Sequence, residues 1–190
     1  MSDDLTIRRV GVALVHHPCL ARDGSILTTA ITNLDIHDIA RSACAFGAVR
    51  FYLVHPVPAQ QELVRRIRDH WITGPGARRI PDRARALSLV TVADTLEAAE
   101  ADLGGSQITE RWTTAARASG PVSTYAEGRT RIQTEGPPVM LVFGTGWGLP
   151  KPLVEAAAVR LEPIRGSVDW NHLSVRAAAA ITLERLLAPR

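Results

Sequence analysis

Apolar positions change period along the chain, and the changes outline alternating strands and helices. Val10-Gly11-Val12-Ala13-Leu14-Val15 is a short continuous apolar run rich in β-branched residues, which predicts a buried strand. A polar stretch over 16–32 follows, with turn signals at Pro18 and Asp23-Gly24. Ile36, Ile39, Ala40, Ala43 and Phe46 then recur at helical spacing; Asn33 or Asp35 is placed to cap that helix and Gly47 to end it. Phe51-Tyr52-Leu53-Val54 predicts a second buried strand, ending at His55-Pro56. Leu63, Val64, Ile67 and Trp71 mark one side of a helix over 60–72, which Gly74-Pro75-Gly76 breaks.

Residues 87–92 predict a further strand, and Asp94-Thr95-Leu96-Glu97 has the form of a capping box opening a helix that runs to Leu103. The pattern is weakest over 104–120, where a short helix near 111–118 is expected. A strand over 122–125 should precede a polar turn at Glu127-Gly128. Val139-Met140-Leu141-Val142-Phe143 is a buried strand that runs into a glycine loop at 144–148. A helix over 152–158, a strand over 160–164, a loop and an alanine-rich helix over 174–187 complete the chain. No repeat or low-complexity linker interrupts this order, so a single α/β domain over 1–190 is expected, with a mainly parallel sheet and helices on both faces.

Composition adds limits. No apolar run approaches the roughly 18 residues of a membrane span, and the acidic Met1-Ser2-Asp3-Asp4 lacks the order of a signal peptide. Cys19 and Cys44 are too few for a disulfide framework, so the cytoplasm is the expected location. A net charge of +3 permits a polyanionic partner without requiring one. Lys151 is the only lysine; the other cations are arginines, whose planar forks suit phosphate. Arg65, Arg66, Arg68, Arg78, Arg79, Arg83 and Arg85 stand against Glu62, Asp69 and Asp82. This segment suits contacts to a phosphate backbone, and equally a solvated charged face.

Three segments carry candidate chemistry. The first is Asn33-Leu34-Asp35-Ile36-His37-Asp38-Ile39-Ala40-Arg41-Ser42-Ala43, followed by Phe46-Gly47 and a strand. The second is Phe143-Gly144-Thr145-Gly146-Trp147-Gly148-Leu149 at the end of a strand. The third is Leu161-Glu162-Pro163-Ile164, a short loop, then His172-Leu173-Ser174 opening the terminal helix. The glycines free the backbone for positive φ and for close approach to a ligand, or for a tight surface turn. Asn171 or Ser174 also suits a plain helix cap. His16-His17 lacks partners at metal-ligand spacing, so no metal is expected. The glycine loop lacks the Lys-Ser/Thr of a phosphate-binding P-loop, and no Gly-x-Ser-x-Gly elbow occurs.

In this order and placement the three segments resemble the SpoU branch of the SPOUT RNA methyltransferases, in particular its stand-alone, single-domain members. The resemblance spans about 10–187 and is weak over 104–136. It implies a trefoil-knotted α/β fold, S-adenosylmethionine as cofactor, tRNA or rRNA as partner and a homodimer. It implies that Phe143, Gly144, Thr145, Gly146, Trp147 and Gly148 form the first cofactor loop. Leu161, Pro163 and Ile164 correspond to the second loop, and Asn171, Leu173 and Ser174 to the third. Trp147 would stack on adenine or a target base, or simply pack. Arg41 matches the arginine of the family's first motif, with Asn33 eight residues before it; both are implied in catalysis. His172 adds a group that titrates near neutral pH and would serve as a base if it faces the methyl group. Two departures stand out: residues 144–149 lack the glutamate usual in this loop, and Ser-Leu-Asn has become His-Leu-Ser. The expected function is therefore RNA methyl transfer, with a catalytically silent RNA- or cofactor-binding protein of the same fold as the alternative.

Overall fold

The structure, a computed structural model, describes residues 8–105, 108–117, 120–168 and 170–189. In chain order the elements are β1 (Val10–Val15), a hairpin of β2 (Cys19–Leu20) and β3 (Ile26–Leu27), α1 (Asn33–Ala45) and β4 (Arg50–Val54). Then come α2 (Pro58–Ile72), α3 (Pro75–Arg79), α4 (Pro81–Leu87), β5 (Val90–Ala93), α5 (Leu96–Gly104) and β6 (Glu110–Thr113). The last are α6 (Tyr125–Ile132), β7 (Val139–Gly144), α7 (Lys151–Glu155), β8 (Val159–Arg160) and α8 (Val175–Leu187).

Six strands form a sheet in the order β5-β4-β1-β7-β6-β8, and each neighbouring pair is parallel. β1 is central because all six of its residues are buried, and a strand covered on both faces must be apolar at every position. Val12 pairs with Phe51 on one side and Leu141 on the other. On one face Val12, Leu14, Phe51, Leu141 and Phe143 pack with Ile36, Ile39, Leu87 and Leu183 from α1, α4 and α8. On the other face Ala13, Val15, Tyr52, Met140 and Val142 meet Leu96, Ala99 and Leu103 of α5. Gly11 permits that approach, since a Cβ there would lie 2.7 Å from Leu103 Cδ2.

Several local expectations are corrected. Residues 110–113 are a strand rather than the start of a helix. Their parallel pairing with both β7 and β8 overrides an ambiguous pattern, and it buries Trp112 completely. Residues 125–132 are a helix rather than a strand end and turn, opened by a capping box in which Glu127 N–H donates to Thr124 Oγ1 (3.2 Å) and Thr124 N–H to Glu127 Oε2 (2.7 Å). Gly128 therefore sits inside α6, where a Cβ would come within 3.0 Å of Leu186. At α5 Thr95 alone caps, accepting from Ala98 N–H at 3.1 Å. The segment after Gly74 is α3 rather than a loop, and β5 begins at Val90 because residues through Leu87 complete α4. α7 ends at Glu155 and β8 at Arg160, each shorter than expected; Leu161 keeps only an isolated bridge to Ser123.

α8 packs on α1 and α6. Ala179, Thr182 and Leu186 are buried in that packing, and Tyr125 Oη lies 3.3 Å from Thr182 Oγ1. Val175 and Ala178, on the same helix, stay half-buried.

Candidate functional site

Because the strands run parallel, their carboxyl ends share one edge of the sheet, where ligands of such folds bind. The loop after β7 is held there by hydrogen bonds. Trp147 N–H donates to Leu20 O, and Leu20 N–H to Gly148 O, both at 2.9 Å, so the glycine loop zips onto the β2–β3 hairpin. Gly146 has φ +60°, and a Cβ on it would stand 2.9 Å from Leu20 O, so only glycine fits without displacement. Gly148 has φ +109° with open space where a Cβ would be. The Phe143 side chain is buried in the core, leaving only its main chain for a ligand, whereas the Trp147 indole is 63% exposed.

Beneath the loop is a polar cluster. Thr145 Oγ1 lies 3.1 Å from Val15 O, 2.5 Å from Thr29 Oγ1 and 3.3 Å from Cys19 Sγ. Thr29 Oγ1 in turn lies 3.0 Å from His16 Nδ1. His55 Nε2–H donates to Thr29 O at 3.1 Å, while His55 Nδ1 accepts Val57 N–H at 3.0 Å, which fixes its tautomer. His16 is fully buried; burial, then the neighbouring His55, lowers its pKa to about 4 and keeps it neutral. Its Nε2 has no hydrogen-bond partner.

The second and third loops are more open. Leu161 is buried and donates its N–H to Thr113 O at 2.9 Å. Glu162 Oε1 accepts Tyr125 N–H at 3.0 Å, so that carboxylate is engaged in capping α6. Pro163 and Ile164 are half-buried. Among the described residues, none from 163 to 173 makes a main-chain hydrogen bond to another backbone group. Asn171 does not cap α8; its Nδ2–H donates to Ala116 O at 2.7 Å, and Ser174 is the cap, accepting Ala177 N–H at 3.2 Å. His172 and Leu173 are exposed, and the His172 ring stands 5.6 Å from that of Trp170.

α1 presents the first motif. Its cap is Thr32, whose hydroxyl accepts Asp35 N–H (3.2 Å) and donates to Asp35 Oδ2 (2.6 Å), so Asn33 is an exposed first-turn residue rather than the cap. Arg41 is exposed near the other end of α1 and makes no hydrogen bond or ion pair among the described residues. Between them His37 packs edge-on against Trp71, with ring centroids 5.5 Å apart. Burial first, then the charge of Arg83 and, more weakly, Arg41, lowers the His37 pKa against the opposing Asp38. Arg41 therefore lies toward α4, while another cation joins α1 to the third loop. Arg176, two residues beyond Ser174, reaches Asp38 Oδ2 at 3.6 Å and Asp35 Oδ1 at 3.9 Å. Sequence reasoning passed over Arg176, Thr29 and Thr145 Oγ1 as interacting groups; their partners lie far away along the chain and leave no local signal.

On α2, α3 and α4 the arginine segment forms an outer surface. Arg66 pairs with Glu62 at 3.5 Å and Arg68 with Asp69 at 3.6 Å; Arg83 covers the Trp71 ring at 4.6 Å. Arg78, Arg79 and Arg85 are exposed and form no ion pair among the described residues. Since α4 packs on α1, this surface extends toward Arg41.

The carboxyl edge fits the cofactor that the sequence resemblance implies. Gly148 offers an open, side-chain-free approach, and the described residues among 163–173 keep main-chain donors and acceptors free of backbone partners for an adenine edge beside apolar Ile164 and Leu173. Among the described residues no group of three His, Cys, Asp or Glu side chains is arranged to hold a metal, and no helix is long and apolar enough to cross a membrane.

Comparison with known proteins extends this picture. A family model described as SAM-dependent RNA methyltransferase matches residues 9–188. A tRNA (guanine-N(1)-)-methyltransferase of Nitratidesulfovibrio vulgaris is 41% identical over 182 residues, which is 95% of this chain but 42% of that protein. The chain thus spans about two fifths of that relative's length. Among solved structures, TrmJ from Z. mobilis superposes with a TM-score of 0.63 at 20% identity, over 95% of this chain and 69% of that one. The A. aeolicus TrmH/SpoU tRNA modifying enzyme superposes with a TM-score of 0.56 at 16% identity, over 96% and 77% respectively.

Proposed function

The chain belongs to the SAM-dependent RNA methyltransferase family, and from that premise we propose that it methylates a nucleotide of tRNA at a ring nitrogen or ribose oxygen. The reading is supported by the glycine loop at the carboxyl end of β7 and residues 161–164 just past β8 at the same edge of the parallel sheet, with Asn171 bonded to Ala116 beyond β6. S-adenosylmethionine, when bound, supplies an electrophilic methyl group on a sulfonium with a thioether leaving group. Gly144 to Gly148 would hold it by backbone approach. Leu161, Pro163 and Ile164 would cover the adenine and Asn171, Leu173 and Ser174 would close the turn. With a good leaving group already present, these residues chiefly contribute alignment.

Arg41 offers a planar fork of donors. Its role in this reading is to orient a phosphate or to stabilise charge developing on the acceptor, with Asn33 on the same helix. His172, in the third loop, takes the acceptor's proton where one must leave. Arg78, Arg79 and Arg85 bind the RNA backbone. We further read the chain as one cytoplasmic domain with a trefoil crossing, in which the chain after β7 threads through an earlier loop. In a homodimer the terminal helix, where Val175 and Ala178 stay half-buried, would form the contact. One observation favours a binding protein without turnover: residues 144–149 contain no acid.

The experiment is single-turnover transfer of labelled methyl from S-adenosylmethionine to total RNA of a strain lacking the gene, followed by mapping of the labelled nucleotide. Loss of a charge-stabilising donor at a reacting centre costs about 2–4 kcal/mol, or roughly 30- to 1000-fold in rate. Arg41→Ala should fall by that factor while retaining cofactor affinity. Binding of RNA and cofactor without incorporation by the wild type would establish the silent alternative.

A further inference from the structure

Thr29 sits at the centre of this part-buried polar cluster and touches three separate parts of the fold. Its main-chain N–H donates to His16 O at 2.9 Å, its carbonyl accepts His55 Nε2–H at 3.1 Å, and its hydroxyl meets both His16 Nδ1 and Thr145 Oγ1. Its backbone is therefore fixed by the ends of β1 and β4, independently of its hydroxyl. The hydroxyl is what remains to act on the glycine loop.

Each hydroxyl has one proton, so the contacts must form a directed chain. One consistent direction runs from His16 Nδ1–H to Thr29 Oγ1, from Thr29 O–H to Thr145 Oγ1, and from Thr145 O–H to Val15 O, with separations of 3.0, 2.5 and 3.1 Å. In the opposite direction Thr145 donates to Thr29 and Thr29 to His16 Nδ1, leaving Val15 O to the Cys19 thiol at 3.0 Å. In both directions the Thr29 hydroxyl, which also lies 3.4 Å from His16 O, bridges His16 and Thr145, and it holds the Thr145 side chain together with Val15 O and Cys19 Sγ. Thr145 lies next to Gly146, whose left-handed backbone is closed against Leu20 O.

We propose that Thr29 is a positioning residue for the cofactor. Through Thr145 its hydroxyl adds a side-chain tie to a loop whose main chain is bonded to Val15 O and Leu20, and so steadies the approach of that main chain to S-adenosylmethionine. This rests on the cofactor site proposed above. Thr29 also begins the short segment leading into α1, so the same residue ties the cofactor loop to the helix bearing Asn33 and Arg41.

The test compares Thr29→Val, which keeps shape and β-branching but loses the hydroxyl, with Thr29→Ser, which keeps the hydroxyl. Affinity for S-adenosylhomocysteine is measured by calorimetry, thermal stability alongside it, and amide exchange reports where the ligand binds. Thr29→Val should raise the Kd about tenfold, equivalent to about 1.4 kcal/mol, and Thr29→Ser should recover most of it. In methyl transfer the apparent KM for the cofactor should rise by more than kcat falls. If Thr29→Val lowers the melting temperature but leaves the Kd unchanged, the hydroxyl is structural only and the proposal fails. Should Thr29→Val not fold, Thr29→Ser and Thr145→Ala provide the same comparison; unchanged Kd in Thr145→Ala, which removes the relay's other hydroxyl, overturns it equally. Ligand-induced exchange protection must fall on residues 144–148 of the wild type. Protection elsewhere would sink the underlying site, whereas protection there with an indifferent Thr29→Val sinks only the relay.

Discussion

The two halves of the candidate cofactor site are built in different ways. The glycine loop is tied down by reciprocal main-chain bonds with Leu20 and by a part-buried hydroxyl chain beneath it. The 163–173 segment has no main-chain bond to other backbone among the described residues and is anchored through Asn171 to Ala116. One half is pre-formed, and the other presents main-chain donors and acceptors free of backbone partners, which a ligand can satisfy. A site so divided orders its pinned half on folding and leaves the cost of ordering the open half to binding.

The contrast is broken most severely by Gly146→Val. A β-branched residue is strained at φ +60°, and its Cβ would meet Leu20 O at 2.9 Å, so the zipper between loop and hairpin must open. Cofactor binding should become undetectable by calorimetry. The melting temperature should also fall by several degrees, because this glycine serves the local fold as well as the ligand.

Acid should weaken the pinned half next. Folded His16 titrates at about 4, against 6.5 for an unperturbed histidine. Between those values the unfolded chain binds more protons, so stability rises with pH through that window and is complete above 6.5. The shift corresponds to about 3 kcal/mol, lost as pH falls from 6.5 to 4; the lowered values of His37 and His55 act in the same direction. Urea midpoints at stepped pH should show this slope, and His16→Asn should flatten it.

The smallest effect is expected in the open half. Asn171→Ala removes one exposed hydrogen bond, worth at most about 0.5–1.5 kcal/mol. The Kd for S-adenosylhomocysteine should rise less than about tenfold, with the melting temperature nearly constant. A larger loss of stability would mean that this half, too, is part of the folded framework.

Much of the architecture was legible because burial imposes its own composition. β1, β4 and β7 are apolar at nearly every position, and only a strand covered on both faces is built so. The helix over 33–45 and the terminal helix were likewise evident from period and caps, although Thr32 rather than Asn33 proved to be the cap. β6 was not legible. Glu110, Arg111 and Thr113 are polar, and their strand exists because β7 and β8 supply ladder partners and Glu100 takes the Arg111 guanidinium at 2.6 Å. The glycine loop was found by its residues, but the hydroxyl relay under it was not.

By itself, then, the sequence determined the buried strands, the helix periods and the three ordered segments that mark the family, since each depends on neighbours a few residues apart. Tertiary structure alone decided the placement of β6 in the sheet, the packing of α8 on α1 and α6, the link from Arg176 to α1, and the pairing of Thr29 with Thr145 across 116 positions. Hydrogen-bonded and charged contacts of that kind depend on which chain segments the sheet order brings together. Local propensity carries no term for a partner so far away.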